Sequence, residues 1–296
     1  MSGSKIRWKR VRDTIIWMSL LAGISALLFY SVQRKSHAIV KTLVVSIEGD
    51  EKKGHLISEK EVMQILTLAA GKTITTSNIS TLNLRLLEAK LNKDKRIERA
   101  DLYFDSKSRL NVRIVQKKPV MRVIDEAGLE YYLDENAKQV PIAKGIGVRV
   151  PVVTGIRDTF NSKMFLTNTP SKLKEIFNIM KYISQDEFLS ALIEQAYVES
   201  DSVGDIVLIP KIGREKLIFG DDRDMVEKFT KLKIFYRDGM PKLGWSRYKT
   251  LNLKYANQVS GMLANPETAF NNKPALRDSL QAALITITNN RESIHH

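Results

Sequence analysis

The sequence contains no cysteine and only four histidines in 296 residues. The absence of cysteine excludes structural disulfides, thiolate catalysis and Cys-ligated zinc. The histidines, His37, His55, His295 and His296, have no partners at metal-ligand spacing. No Gly-rich phosphate loop and no nucleophile-elbow motif occurs either. We therefore predict a protein with no catalytic site, no metal site and no cofactor.

Carboxylates are the remaining route to catalysis, because cleavage of a glycan needs only two of them. The acidic clusters of this chain are Asp125–Glu126, Asp134–Glu135 and Asp221–Asp222–Asp224. They lie at predicted turns and helix starts, where capping or solvation is the ordinary role of an acidic residue. A membrane-anchored glycan hydrolase stays an alternative, but we expect no enzyme and no small-molecule substrate.

Negative charge is scarce, with 33 acidic residues against 47 basic ones and a net charge of +14. Nearly half of this excess lies in the first 35 residues, where Asp13 is the only acidic residue. The rest is spread along the chain without a long basic block or a recognisable DNA- or RNA-binding motif. We therefore expect no nucleic-acid partner, while contact with anionic lipid headgroups stays open.

Formal charge is absent from Thr14 to Val32, which reads TIIWMSLLAGISALLFYSV. A helix of this length spans a hydrocarbon core of about 30 Å. Trp17 and Tyr30 lie near its two ends, where aromatic rings favour the membrane interface. We predict a transmembrane helix over residues 14–32, a tail over residues 1–13 and a linker over residues 33–39.

The basic residues that flank this segment predict its direction. Five precede it, whereas only Arg34, Lys35 and Lys41 follow closely, which favours a cytoplasmic N-terminus and an exported remainder. A cleavable signal peptide is the alternative, with a weak cleavage pattern at Ser36–His37–Ala38. The length of the apolar run and the two charges directly after it favour an uncleaved anchor.

Residues 40–118 have the periodicity of one strand, two helices and two further strands. Apolar and polar residues alternate at positions 43–47, 99–104 and 110–115, as in half-buried strands. After the first strand, a capping box at Ser58–Glu61 starts a helix that Gly71 can end, and a second helix starts near Ser80. This βααββ order predicts one three-stranded sheet covered on one face by two helices.

Residues 119–260 change to short strands separated by turns. A hairpin is predicted around Ala127–Gly128. Further strands are predicted at residues 150–155, 194–199, 205–209, 216–219 and 248–256. One helix starts near Pro170, and a second runs from Asp222 to Tyr236 and can end at Gly239. Residues 261–296 are predicted to be a flexible tail.

The order of these segments resembles that of the FtsQ/DivIB family of bacterial division proteins. Three stretches carry the resemblance: QKKPV at Gln116–Val120, VPVVTG at Val150–Gly155 and LNLKY at Leu251–Tyr255. The family usually has an acidic residue in place of Gln116, so a salt bridge at this position is in doubt. Asn252 replaces the usual Asp, which need not affect strand pairing.

The resemblance implies an α+β fold, with a single N-terminal transmembrane helix, a POTRA domain over 40–118 and an FtsQ-type β domain with two helices over 119–260. It also implies a bitopic scaffold in the bacterial cytoplasmic membrane with its larger part in the periplasm. Such a scaffold binds FtsB-like and FtsL-like proteins and helps to position septal cell-wall synthesis. A POTRA-bearing component of protein transport or outer-membrane assembly is the alternative.

The strand at 248–256 is the candidate binding site. A strand at the edge of a sheet leaves backbone N–H and C=O groups unpaired, and a partner strand can pair with them. The alternating pattern predicts a buried side and an outward side for this strand. The predicted site residues are Tyr248, Thr250, Leu251, Asn252, Leu253, Lys254 and Tyr255. An ordinary interior strand is the alternative for this segment.

Overall fold

The computed structural model describes residues 4–36, 38–49, 53–143, 145–167, 169–200 and 204–265. The chain divides into two compact units. Unit 1 comprises Met1–Gly49 and Ile57–Gln116, and unit 2 comprises Asp50–Leu56 and Lys117–His296. Most of the predicted tail, residues 266–296, lies outside the described residues.

The first element is the helix α1, which runs from Ser4 to Ser36. In the part of the chain that the structure describes, no helix combines the length and the apolar character that crossing a membrane requires. Residues 14–32 lie inside α1, but the side chains of residues 28–32 are outside the described set. The structure therefore confirms that residues 14–32 are helical. It does not confirm that they cross a membrane.

Unit 1 continues with the predicted order of one strand, two helices and two strands. The elements are β1 (Thr42–Glu48), α2 (Glu59–Ala70), α3 (Leu84–Leu91), β2 (Ile97–Phe104) and β3 (Arg109–Gln116). The sheet order is β1-β3-β2, with β1 parallel and β2 antiparallel to the central strand. The βααββ prediction is confirmed.

Local interactions at both ends of α2 explain why it begins and ends where the sequence predicts. Ser58 Oγ accepts a hydrogen bond from the Glu61 N–H at 3.2 Å, and the Ser58 N–H donates to Glu61 Oε2 at 3.0 Å. Gly71 follows the helix at φ 64°, a left-handed conformation that glycine adopts at little cost. Val62 and Leu66 are buried on the inward face of this helix.

Unit 2 is built on one mixed sheet of nine strands. Its strands are β4 (Pro119–Asp125), β5 (Glu130–Asp134), β6 (Gln139–Pro141), β7 (Val152–Ile156), β8 (Ile193–Val198), β9 (Ile206–Pro210), β10 (Lys216–Gly220), β11 (Tyr248–Asn252) and β12 (Ser260–Leu263). The sheet order is β12-β11-β10-β9-β8-β7-β4-β5-β6. The sequence did not predict β6 or β12, and β12 includes three residues of the predicted tail.

Two longer helices match the two that the sequence predicts for unit 2. They are α4 (Lys172–Ser184) and α6 (Met225–Ile234), and the stacked rings of Tyr182 and Phe229 join them at 5.0 Å between centroids. The structure adds two short helices, α5 (Glu187–Leu192) and α7 (Met240–Leu243). The two predicted helices are thus confirmed as α4 and α6, whereas the short helices α5 and α7 were not predicted.

Gly239 does not end the second long helix, contrary to the sequence prediction. The helix passes from α6 through a π-helical segment at Phe235–Gly239 into α7, and it ends before Gly244 at φ 95°. A Cβ atom on Gly239 would lie 3.2 Å from Phe235 Cδ2. Close packing under the Phe235 ring therefore accounts for this glycine better than helix termination does.

An ion pair forms where the chain enters unit 2, although Gln116 carries no charge. Lys117 Nζ lies 3.5 Å from Asp134 Oδ2, and both side chains are nearly buried. Asp134 Oδ1 also accepts the backbone N–H groups of Asn136 at 2.9 Å and Lys138 at 2.8 Å. A salt bridge therefore forms at this exit without an acidic residue at position 116, because Lys117 pairs with Asp134 at the end of β5.

Residues 38–119 are expected to fold on their own, because the buried core of unit 1 is formed by residues between Val40 and Ile114. This fragment should show a cooperative thermal transition by circular dichroism. Leu66→Ala should lower its unfolding free energy by about 2–5 kcal/mol, since Leu66 is fully buried. Leu68→Ala, on the exposed side of α2, is the control and should change the unfolding free energy of the fragment by less than about 0.5 kcal/mol. A fragment without a cooperative transition would contradict this.

Candidate functional site

The predicted binding strand lies one position inside the edge of the sheet. β11 pairs in parallel with β10, with Leu251 opposite Leu217, and antiparallel with β12, with Leu251 opposite Gly261. The premise that this strand forms the edge is therefore wrong, and β12 lies outside it. Whether residues of β11 bind a partner stays a prediction.

The two sides of β11 differ as the alternating sequence predicts. Leu251 and Leu253 are fully buried against the helices, whereas Thr250 and Asn252 are partly exposed on the opposite side. Tyr255 departs from this pattern, since it follows the strand and is 51% exposed. The outward residues Thr250 and Asn252 lie opposite Met262 and Ser260 of β12, so the two strands form one outward surface.

Tyr248 and Gly261 attach the edge strand to the core. A Cβ atom on Gly261 would lie 2.5 Å from Tyr248 Cδ1, so the aromatic ring packs directly on this glycine. The ring also makes an edge contact with Phe235 at 5.6 Å between centroids. Burial raises the pKa of Tyr248 despite the nearby Arg247. The hydroxyl therefore stays neutral, and this residue acts in packing.

Lys231 fixes the chain directly after β11. Its side chain is almost fully buried, and Nζ donates to the carbonyl oxygens of Leu253, at 3.3 Å, and Tyr255. Glu227 Oε1 lies 3.4 Å from the same ammonium and accepts the N–H of Asn257 at 2.9 Å. A buried charge is costly unless it is paired and hydrogen-bonded. These contacts therefore hold the connection between β11 and β12 on α6.

A second nearly buried lysine fixes the start of α6. Lys228 Nζ donates to the Asp221 carbonyl at 2.9 Å and to its carboxylate at 3.0 Å, and it lies 4.9 Å from the Phe219 ring centroid. Burial alone would raise the pKa of Asp221, but hydrogen bonds from Arg223 and Lys228 outweigh it and lower the pKa. Asp221 is therefore a structural carboxylate.

The other acidic clusters also have structural partners. Asp222 accepts a hydrogen bond from Asn178 Nδ2 at 2.7 Å, Asp125 accepts the Leu129 N–H at 2.8 Å, and Glu126 pairs with Arg157. Within the described ranges, no three His, Asp or Glu side chains are placed to hold a metal ion. These carboxylates therefore have structural roles, and the candidate functional site is a surface of the described residues.

The two ends of the nine-stranded sheet are unlike each other. β6 has three residues and ends in Pro141, which lacks an N–H group, and both features hinder the addition of a further strand. β12 contains no proline and exposes 61% of Met262. Among the residues that the structure describes, no strand pairs with the outer edge of β12. The candidate site is therefore this edge together with the outward side of β11.

Comparison with known families identifies both units. A model described as FtsQ/DivIB, C-terminal related, matches residues 118–261, and a model of a POTRA-like domain matches residues 39–115. The chain belongs to the FtsQ/DivIB family. This family consists of non-catalytic scaffolds, and membership implies protein–protein interactions in cell division. A search of curated proteins found no match.

Sequence reasoning for this FtsQ/DivIB chain found β11 and missed the strand outside it. The four residues of β12, SGML, contain a glycine and lack the alternation by which a strand is recognised. The available signal was the short apolar segment from Val259 to Leu263, which follows β11 after a turn containing Asn257. Lys231 was also missed, because a lysine in an amphipathic helix ordinarily faces solvent.

Gly261→Ala should loosen the edge strand of this FtsQ/DivIB protein, because its new Cβ atom collides with the Tyr248 ring. We expect the unfolding free energy of unit 2 to fall by about 1–3 kcal/mol, measured by urea denaturation of the full chain. Ser260→Ala, on the opposite side of the same strand, is the control and should have little effect. Equal stability of the two variants would show that the ring does not hold β12.

Proposed function

We propose that this FtsQ/DivIB protein is a bitopic divisome scaffold that binds FtsB-like and FtsL-like proteins outside the cytoplasm. Through them it helps to position the septal cell-wall synthesis machinery. The observation that carries the proposal is the edge of β12, which no described strand covers. At the opposite edge of the same sheet, Pro141 hinders the addition of a strand. Family membership supports the division role, and the edge supports the mode of binding.

Binding by strand addition follows from the chemistry of this edge. A partner strand beside β12 would satisfy the outward backbone groups, and its side chains would reach the outward surface of the sheet. Met262 offers an exposed apolar contact, and Thr250 and Asn252 offer uncharged polar contacts beside it. Of the residues predicted from the sequence, Thr250 and Asn252 thus contribute through their outward side chains, while β12 supplies the backbone groups.

The alternative of a transport or outer-membrane assembly component rests on the POTRA-like unit alone. That unit is compatible with both functions, since a fold by itself does not define a function. The match over residues 118–261 favours the division role, because it covers the unit that carries the candidate edge.

The sequence supports attachment to the cytoplasmic membrane. The uncharged run at residues 14–32 is long enough to cross a bilayer, and the basic residues before it favour a cytoplasmic N-terminus. The POTRA-like region and the β domain after it both follow this segment, so the same orientation would put them in the periplasm. The proposed partners are then reached outside the cytoplasm.

Charge on the outward surface of the edge should weaken partner capture. We expect Met262→Glu, Thr250→Glu and Asn252→Glu to leave the buried Leu251 side intact and to weaken binding at least tenfold, because an added partner strand would cover the new carboxylate. Binding is measured by pull-down of the full chain with an FtsB-like protein, followed by an affinity titration. Cells that depend on the variants should fail to divide.

Gln195→Glu is the matched control, because Gln195 is exposed on the same side of the sheet but lies in β8, far from the edge. This variant should bind as the unmodified chain does. Folding of each variant is checked by circular dichroism. If the three edge variants are folded and bind normally, strand addition at β12 is wrong, and the surface of α6 becomes the next candidate.

The topology has a separate test. A reporter that is active only outside the cytoplasm, fused after Ser260, is expected to be active, and the full chain should stay in the membrane fraction. Alkaline extraction followed by immunoblotting measures this attachment. Recovery of a soluble exported chain that begins near Ile39 would instead indicate a cleaved signal peptide.

A further inference from the structure

The outward sides of α2 and α3 form one surface on unit 1. Both helices contribute to the same core on one side of the three-stranded sheet, so their remaining sides face away from it. The exposed charged and large apolar residues of the two helices, here called the helix face, are Glu59, Lys60, Met63, Leu68, Arg85, Leu86 and Lys90. Three of them are cationic, three are large and apolar, and one, Glu59 at the start of α2, is acidic.

The cations of the helix face are available to a ligand. Lys60, Arg85 and Lys90 form no ion pair with any residue that the structure describes. Two nearby acids are already engaged, since Arg96 binds Glu61 at 2.7 Å and Asp94 at 2.8 Å. On the helix face, Glu59 is then outnumbered by three cations, so positive charge is in excess.

The opposite side of unit 1 has a different charge arrangement. On the sheet, Arg99 pairs with Asp101 at 3.1 Å, and Arg113 pairs with Glu48. Arg109 likewise contacts Asp105 at 2.6 Å near the end of β3. Because these arginines are neutralised, the sheet side offers little net attraction to an anion. The helix side of unit 1 therefore carries excess positive charge and the sheet side does not. The sheet side can serve as an internal control for binding of an anionic surface.

The apolar residues of the helix face identify the kind of anion. Leu68 is 82% exposed, and Met63 and Leu86 are each more than 40% exposed. Apolar side chains on a basic helical surface gain free energy by entering the boundary between headgroups and acyl chains. They add nothing to binding of a nucleic-acid backbone, which is dominated by phosphate contacts. The combination therefore favours a lipid surface over a nucleic acid.

We propose that the helix face of unit 1 docks on the surface of a bilayer that contains anionic phospholipids. The three cations lie close to the headgroup phosphates, and Leu68 enters the interface. This docking does not depend on strand addition at β12, because no residue of unit 2 takes part. Failure of either proposal therefore leaves the other standing.

Single-site labelling can test this docking on the full chain, because the sequence contains no cysteine. Leu68→Cys carries an environment-sensitive fluorophore on the helix face, and Tyr103→Cys, at an exposed site on β2, carries it on the sheet side. Vesicles containing phosphatidylglycerol should increase the emission of the label at position 68 several-fold and leave the label at position 103 unchanged. Both labels are on chains with α1, so attachment through α1 is common to the two measurements.

Neutral substitutions then test the role of charge. Each basic residue near an anionic surface increases binding about fivefold, so Lys60→Gln with Lys90→Gln should lower the ratio of docked to undocked chains about 25-fold. Arg99→Gln with Arg113→Gln on the sheet side is the control and should leave this ratio unchanged. High salt should remove the response at position 68, since salt screens exposed charges.

Four results would contradict the proposal. The first is no change at position 68 with phosphatidylglycerol vesicles, and the second is an equal change at both labelled positions. The third is a response at position 68 to short duplex DNA without vesicles, combined with none to the vesicles, which would assign the helix face to nucleic acid. An equally strong response to vesicles of phosphatidylcholine alone would also contradict the role assigned to the cations.

Discussion

An open sheet has two edges, and each edge strand carries backbone groups that no neighbouring strand pairs. Unpaired edges promote association, so proteins shield them unless association is their function. In unit 2, Pro141 and the shortness of β6 shield one edge, whereas β12 leaves the other accessible within the described residues. This difference gives the sheet a single direction in which another chain can extend it.

The accessible edge needs a rigid support, because a short strand alone has little stability. Lys231 holds the chain after β11, and the Tyr248 ring packs on Gly261 of the edge strand. Both contacts connect the edge to the core beneath α6 and its π-helical continuation. A partner that binds as proposed would therefore meet a preformed strand, which reduces the conformational entropy lost on binding.

Local periodicity accounts for what the sequence could predict. The alternation in β1, β2 and β3 and the capping box of α2 are short-range signals, and the βααββ unit followed from them. The buried side of β11 was predicted from the alternation of Leu251 and Leu253 with polar residues. Signals that depend on contacts between distant residues were missed: Lys231 reaches carbonyl groups beyond β11, and Gly261 makes room for Tyr248.

The parallel pairing of β10 with β11 has a consequence for the timing of assembly. Parallel neighbours require a crossover, and here α6 and α7 must lie on the sheet before β11 can enter its place. Among the described strands, β12 pairs with β11 alone, so it is added after that step. Domains fold broadly from the N-terminus as the chain emerges. The candidate edge is thus among the last parts to form, and in a chain interrupted before Ser260 the outer strand at this end of the sheet would be β11.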